Sequence, residues 1–318
     1  MSLVLLTGGL GYIGGRLAMA LVGSGYHVRC GTSRPNQVAP TWCANMNLVH
    51  IDWQSQESIE NACRDVDCVV HLAAMNENDS CLDPVGALRV NGMFSVKLLE
   101  AAKDKRVRRF IYFSTAHVYG SPLQGVISET SITRPSHPYS ITHRVTEDFV
   151  LAAHDKRHIE GVVLRLSNSF GVPATHEVNR WSLLVNDLCR QTVTAGQIRL
   201  NSSGVQLRDF ITLGDVCGAV EHLLRLDISN LKDGLFNLGG DNTQSVLNMA
   251  NRIAERWRIM TDYQIEIKSQ SDNGIHPVML TYCSEKLKSV GFRVKSEIDL
   301  EIDNTLGLCL RTLNSQTE

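Results

Sequence analysis

The chain has 318 residues, 43% of them hydrophobic and 20% charged, with a formal net charge of −2. That composition suits a soluble globular chain with a sizeable core, at roughly 150 residues per domain about two domains or one large α/β unit. The near-zero charge gives no drive toward nucleic acid or an anionic membrane, and the absence of any apolar run of about eighteen residues predicts no membrane span. Nine cysteines, with no Cys-x-x-Cys pair, point to reduced thiols in a cytoplasmic protein.

Residues 3–6 are wholly apolar, as in a strand buried on both faces of a parallel sheet. The stretch Thr7-Gly8-Gly9-Leu10-Gly11-Tyr12-Ile13-Gly14 follows, and a helix is predicted over 12–22. Further strands are predicted over 27–31, 48–51, 66–72, 110–114 and 162–166, with helices over 55–63, 84–102 and 139–153. This alternation predicts an α/β fold, a doubly wound parallel Rossmann sheet with right-handed crossovers. Beyond Gly171 the pattern turns irregular: a helix near 180–191, short strands near 198 and 210, a helix over 215–226, then one helix among shorter pieces and a polar, frayed tail from Thr312. The expected division is 1–172 as the dinucleotide-binding Rossmann domain, with a return segment near 205–238, and 173–318 as a smaller, mainly substrate-binding domain.

Gly8, Gly11 and Gly14 are spaced by three between a strand and a helix. The first permits the tight turn, the second lets backbone approach a pyrophosphate, and the third allows close helix–strand packing, while the helix N-terminus favours the anion. A nicotinamide dinucleotide is the expected ligand. The second strand ends Cys30-Gly31-Thr32-Ser33-Arg34, with no acid for a ribose 2′-hydroxyl. Ser33 and Arg34 suit a 2′-phosphate better, so NADP is preferred, with NAD as the alternative.

Further pieces together resemble the extended short-chain dehydrogenase/reductase family, and within it the NAD(P)-dependent epimerases and dehydratases of nucleotide sugars. They are Ile51-Asp52, followed by Trp53, at the adenine side; His71-Leu72-Ala73-Ala74 beside the cofactor; Asn91 in Val90-Asn91-Gly92; and Ser114-Thr115-Ala116-His117-Val118-Tyr119-Gly120. The resemblance continues through Pro138-Tyr139-Ser140, Leu164-Arg165-Leu166-Ser167-Asn168 and Arg208-Asp209-Phe210-Ile211, and spans roughly 3–240. It implies that Gly8, Gly11, Tyr12, Ile13, Gly14, Ser33, Arg34, Asp52, Trp53, Leu72, Ala73, Ala74, Asn91, Tyr139 and His143 bind the cofactor. It implies that Thr115, Asn168 and Arg208 meet the substrate, with Arg208 on its diphosphate, and that Thr115, Tyr139 and His143 are catalytic. The same resemblance implies a homodimer built on the helices near 91–102 and 142–153. No metal is expected, although His154 and His158 stand four apart; a solvated surface pair is the simpler reading of those two.

Two positions depart from the family pattern. Its tyrosine is followed four residues later by a lysine, which lowers the tyrosine pKa and bonds the nicotinamide ribose; here that position is His143. Histidine, with an ordinary pKa near 6.5, carries little charge above neutral pH. Either His143 performs a weakened form of the role, or Arg144 or another cation supplies the charge, or chemistry is lost and a dinucleotide-binding regulator remains. The Asp-Glu pair typical of sugar 4,6-dehydratases is replaced by Ala116 and His117, and alanine cannot move a proton. The expected function is therefore a nucleotide-sugar epimerase or 4-keto-sugar reductase. A regulatory protein, or a reductase of a non-nucleotide carbonyl compound, is the alternative.

Overall fold

Strands apolar on both faces alternate with helices from Leu3 onward, and such strands reach low free energy only with helices covering both sides. The computed structural model describes residues 2–178, 180–270 and 278–314. The first half contains β1 (Leu3–Thr7), α1 (Tyr12–Gly23), β2 (His27–Thr32), β3 (Asn47–His50), α2 (Gln56–Cys63), β4 (Cys68–His71), α3 (Glu77–Leu82), α4 (Pro84–Ala87), α5 (Ser95–Asp104), β5 (Arg109–Thr115), β6 (Gly125–Ile127), α6 (Pro138–Asp155) and β7 (Glu160–Leu166). The second contains β8 (Asn168–Phe170), α7 (Leu184–Ala195), β9 (Gln197–Arg199), β10 (Leu207–Thr212), α8 (Leu213–Arg225), β11 (Leu235–Leu238), β12 (Thr243–Ser245), α9 (Val246–Thr261), β13 (Glu266–Lys268), β14 (Leu280–Tyr282), α10 (Glu285–Ser289) and α11 (Ile298–Asn314).

Seven parallel strands form the main sheet in the order β11-β7-β5-β4-β1-β2-β3. The order reverses between β1 and β4, which opens a crevice at their C-terminal ends. Val4, Leu6, Ile111 and Phe113 face one side, against Leu17 of α1 and Val220 of α8. Leu5, Val69, Phe110 and Tyr112 face the other, against Ile59 of α2, Leu98 of α5 and Val150 of α6. A separate core of Leu188, Phe210, Met249, Ile253, Trp257, Ile302 and Leu306 gathers α7, α9 and α11 around the small sheet β12-β10-β8.

Several elements differ from the sequence expectation. The helix expected over 84–102 is interrupted: α4 gives way to a π-helical turn, Leu88–Phe94, before α5. Asn91 sits in that turn, and its carbonyl accepts from both Ser95 Oγ and Thr146 Oγ1, each at 2.7 Å. Such competing side-chain bonds go with a widened turn. The helix expected from 180 starts at Leu184 and runs to Ala195, stopped by left-handed Gly196 at φ 62°. A second long helix, α11, fills the C-terminal region where shorter pieces were expected, and it carries Thr312 of the supposedly frayed tail. The basic run around Lys103–Arg109 is largely ion-paired: Lys103 with Glu100, Lys105 with Glu60, and Arg108 and Arg109 with Glu160.

Candidate active site

The glycine turn joins β1 to α1 with Gly8 left-handed at φ 69°, and Gly11 N donates to Gly8 O at 2.8 Å. A Cβ on Gly14 would stand 2.1 Å from Gly8 O, so a side chain there would force helix and turn apart. The first turn of α1 has no side-chain cap at Gly11 and no acidic residue. Its N–H groups and positive dipole end are therefore free for a phosphate. Tyr12 is buried, and its hydroxyl donates to Gly171 O at 2.8 Å, so its side chain ties the turn to the loop after β8 and only its backbone is free for a ligand. Ile13 packs on the core beneath the turn.

At the end of β2, Ser33 and Arg34 are exposed, and the Arg34 guanidinium has no partner among the described residues. Asp52 is exposed and accepts from Gln54 N at 2.9 Å. Trp53 is half-buried and stacks on Phe94, with ring centroids 5.9 Å apart. Leu72, Ala73 and Ala74 follow β4, and a Cβ on Gly8 would come within 3.0 Å of Ala73 N, so that segment lies directly against the turn. The buried Asn91 side chain accepts from Met75 N at 2.7 Å and donates to Thr142 Oγ1 at 3.1 Å, binding the segment after β4 to α6.

The α6 side chains match the strand beneath them. Two strand residues advance about 6.6 Å and four helix residues about 6 Å. Hence Tyr112 meets His143 and, one step on, Ser114 meets Glu147. Tyr139 begins the same row. It is half-buried, its ring centroid lies 4.4 Å from that of His143, and its hydroxyl has no hydrogen-bond partner among the described residues. Burial pushes its pKa up, with Glu77 adding to the rise and Arg180 opposing it. Thr115, at the C-terminal end of β5, accepts from His117 N at 3.2 Å, which leaves its own proton free to donate.

His143 is 3% exposed, and burial drives its pKa down to about 4, opposed by the Phe113 backbone. Its Nδ1 lies 2.7 Å from Tyr112 Oη, and its Nε2 is buried with no well-aligned partner. The expected partial charge near neutral pH is therefore absent, because the ring is sealed from water. Arg144 does not supply a substitute: it pairs with Glu147 and Asp148 and donates to Thr133 Oγ1. Neighbouring His71 is also buried, between Thr7 Oγ1 at 2.6 Å and Ser95 Oγ at 2.8 Å, and burial lowers its pKa to about 3, with His143 adding to the effect.

Asn168 and Arg208 lie on adjacent strands, β8 and β10, forty residues apart in sequence. Asn168 Oδ1 accepts from Arg208 Nη1 at 3.3 Å, while its Nδ2 donates to Asp209 O at 2.9 Å. Arg208 is half-buried and has no carboxylate partner among the described residues. Burial lowers the pKa of nearby His117, and Arg208 lowers it further.

Sequence reasoning missed Tyr112 and Glu147 and quoted His71 and Arg165 only as members of motifs, without the ion cluster in which buried Glu147 accepts from Arg165 at 3.0 and 2.7 Å. The period-two pattern of β5 was a signal for Tyr112, since it puts residues 110, 112 and 114 on one face. Nothing in the chain announced which helix would cover that face. His154 Nε2 bonds Lys232 O at 3.0 Å, and no three His, Cys, Asp or Glu side chains among the described residues come together as metal ligands.

A family model described as the NAD dependent epimerase/dehydratase family matches residues 4–239. The dTDP-glucose 4,6-dehydratase of Streptomyces niveus is 26% identical over 79% of this chain and 76% of its own. The UDP-glucose 4-epimerase of Drosophila melanogaster is 26% identical, covering 95% of each chain. The solved structure of UDP-glucuronic acid 4-epimerase from Bacillus cereus in complex with NAD shares the fold, with a TM-score of 0.79 at 22% identity over 98% of this chain and 99% of that one.

Proposed function

Since the chain belongs to the NAD dependent epimerase/dehydratase family, we propose that it binds a nicotinamide dinucleotide at the glycine turn and acts on a nucleotide-activated sugar, as an epimerase or a 4-keto-sugar reductase. The observation that carries the sugar-nucleotide half of this reading is Arg208. A half-buried guanidinium with one weak neutral partner is costly until an anion joins it, and a diphosphate fits its paired donors. A non-nucleotide carbonyl substrate would leave that cation uncompensated.

When bound, the dinucleotide supplies the acceptor and donor of hydride. Tyr139 takes or gives the proton of the sugar's C4 oxygen, and Thr115 donates a hydrogen bond to the same oxygen as its charge develops. Arg208, with Asn168 bracing its guanidinium, holds the diphosphate away from the reacting carbon and turns that binding energy into orientation. His143, neutral at physiological pH, offers a hydrogen bond rather than a charge. Ala116, buried and aliphatic, supplies no acid or base for 4,6-dehydration. The neutral His143 also favours a second reading, a dinucleotide-binding regulator with little turnover.

Free Arg34, and the lack of an acid at the end of β2, favour NADP over NAD. An exposed apolar face on α5, α6 and the π turn, with Leu88, Met93, Ile141 and Phe149 each at least 44% exposed, favours a homodimer. Nine unpaired cysteines favour a cytoplasmic setting. No helix among the described residues is long and apolar enough to cross a membrane.

The test is a thermal-shift grid with NAD or NADP, each alone and with UDP, GDP, CDP or dTDP, on the unmodified protein and on Arg208→Met. Ligands that bind only the folded state raise the midpoint. NADP and one nucleoside diphosphate should each stabilise the protein, and Arg208→Met should lose only the second shift. Stabilisation by a dinucleotide and by no nucleoside diphosphate would favour the regulator. An undiminished diphosphate shift in Arg208→Met would overturn the role of that residue.

A further inference from the structure

Gly171 and Val172 follow β8 without regular secondary structure, yet all four of their backbone polar groups are bonded, each to a side chain from another element. Gly171 N donates to Asn186 Oδ1 at 3.3 Å, and Gly171 O accepts from Tyr12 Oη at 2.8 Å. Val172 N donates to Glu301 Oε1 at 3.0 Å, and Val172 O accepts from Arg16 Nη1 at 2.8 Å. Arg16 and Glu301 are themselves an ion pair at 2.8 Å. One ion pair therefore holds both backbone groups of one residue, as a neighbouring strand would. Gly171 has φ 138°, and a Cβ there would overlap the Glu301 carboxylate, so only glycine admits the acid this closely. Two residues on, Ala174 packs on Gly15, where an added Cβ would stand 2.7 Å from that of Ala174.

The clamp joins the two ligand sites. Tyr12 belongs to the glycine turn, and Arg16 lies one helical turn on, in the helix whose N-terminus is open to phosphate. The clamped residues belong to the wall on the substrate side. Three residues before Gly171, Asn168 braces Arg208, and β8 pairs in register with β10, which carries that arginine. Eight residues after Val172, Arg180 stands 3.8 Å from Glu77 at the start of α3. Glu301 is buried, and a buried ion pair adds little net stability, so stability alone does not account for it.

We propose that Arg16 and Glu301 are positioning residues: with Tyr12 they clamp the segment after β8 to the dinucleotide-binding turn, so that a dinucleotide in the turn sets Asn168 and Arg208 for the diphosphate. The inference rests on the functional reading above. A ligand that fixes α1 fixes Val172 through the clamp, and β8 with it. Linkage then requires each ligand to tighten the other by the same factor. A merely structural role leaves that factor alone, because both constants are measured on folded protein.

The test is calorimetric binding of UDP, GDP, CDP and dTDP, each with and without saturating NADP or NAD. In the unmodified protein the dinucleotide should tighten binding of one diphosphate about tenfold. In Glu301→Ala and in Arg16→Met that factor should fall below about twofold, while each ligand alone binds within about threefold of its original constant. Glu301→Gln, whose Oε1 can still accept from Val172 N, should keep most of the factor. The Arg16 side chain is 26% exposed, so Arg16→Met still reads the clamp if Glu301→Ala does not fold. A factor preserved in Arg16→Met, a loss in Glu301→Gln as large as in Glu301→Ala, or no factor in the unmodified protein overturns the proposal. An unmodified protein that binds no dinucleotide, or no nucleoside diphosphate, removes the functional reading instead, and the clamp's role with it.

Discussion

Two buried histidines, His71 and His143, set the pH behaviour expected of single residues here. Their folded pKa values, about 3 and about 4, lie below the value near 6.5 of an unfolded chain. Below pH 6.5 the unfolded chain therefore takes up protons that the folded one refuses. The stability these rings contribute is complete above pH 6.5 and is lost as the pH falls toward their folded values. Each loses about 1.4 kcal/mol per pH unit within that window. Urea midpoints should fall steeply from pH 6.5 to 4.5, and His143→Gln should fall less steeply. Parallel curves for the two proteins would show that His143 is already charged in the fold. The same argument removes His143 as the cause of any activity change between pH 6 and 8.

At the scale of elements, the site depends on how α6 lies along β5. The match of four helix residues to two strand residues is held by Glu147, fully buried between Ser114 of β5, Arg144 of its own helix and Arg165 of β7. Buried pairs of this kind add little net stability, but breaking one leaves an uncompensated charge, at a cost of about 3–5 kcal/mol. Glu147→Gln strands the Arg165 guanidinium, which is 3% exposed. We expect a loss near the lower end of that range in urea denaturation, because glutamine still accepts one hydrogen bond. A loss below about 1 kcal/mol would show that Arg165 finds another partner. The π turn is the other element that positions the site, since it lets Asn91 meet the backbone of Met75 and the Thr142 hydroxyl together.

For the whole molecule, the uncovered apolar face of α5 and α6 sets the expected assembly. Leu88, Met93, Val96, Val145 and Phe149 border one groove there, and Phe149 is 49% exposed. Phe149→Glu would put a charge at the centre of a self-complementary contact, where a two-fold axis presents it twice. Light scattering should give twice 35.2 kDa for the unmodified protein and 35.2 kDa for this variant. Equal masses for the two would remove this face as the interface. Across the molecule, Arg16 of α1 pairs with Glu301 of α11 at 2.8 Å and donates to Val172 O at 2.8 Å, fastening the last helix to the first.

The sequence by itself determined the alternating strands and helices and the glycine turn, because each rests on local spacing: period two, period 3.6, or glycines three apart; the family was legible through the resemblance of several motifs in order. The same resemblance put Tyr139, Thr115 and Arg208 forward as site residues, through motifs that need only a few neighbouring residues. Tertiary structure alone decided the state of His143, since the water around a ring is excluded by strands and helices distant in the chain. It alone joined Tyr112 to His143, thirty-one residues away, and Asn168 to Arg208, forty away. It also split the helix at Asn91, where hydrogen bonds from α6 outweigh a sequence that reads as one uninterrupted helix. These outcomes depend on which surfaces meet, and that is settled by packing rather than by the order of residues within any one element.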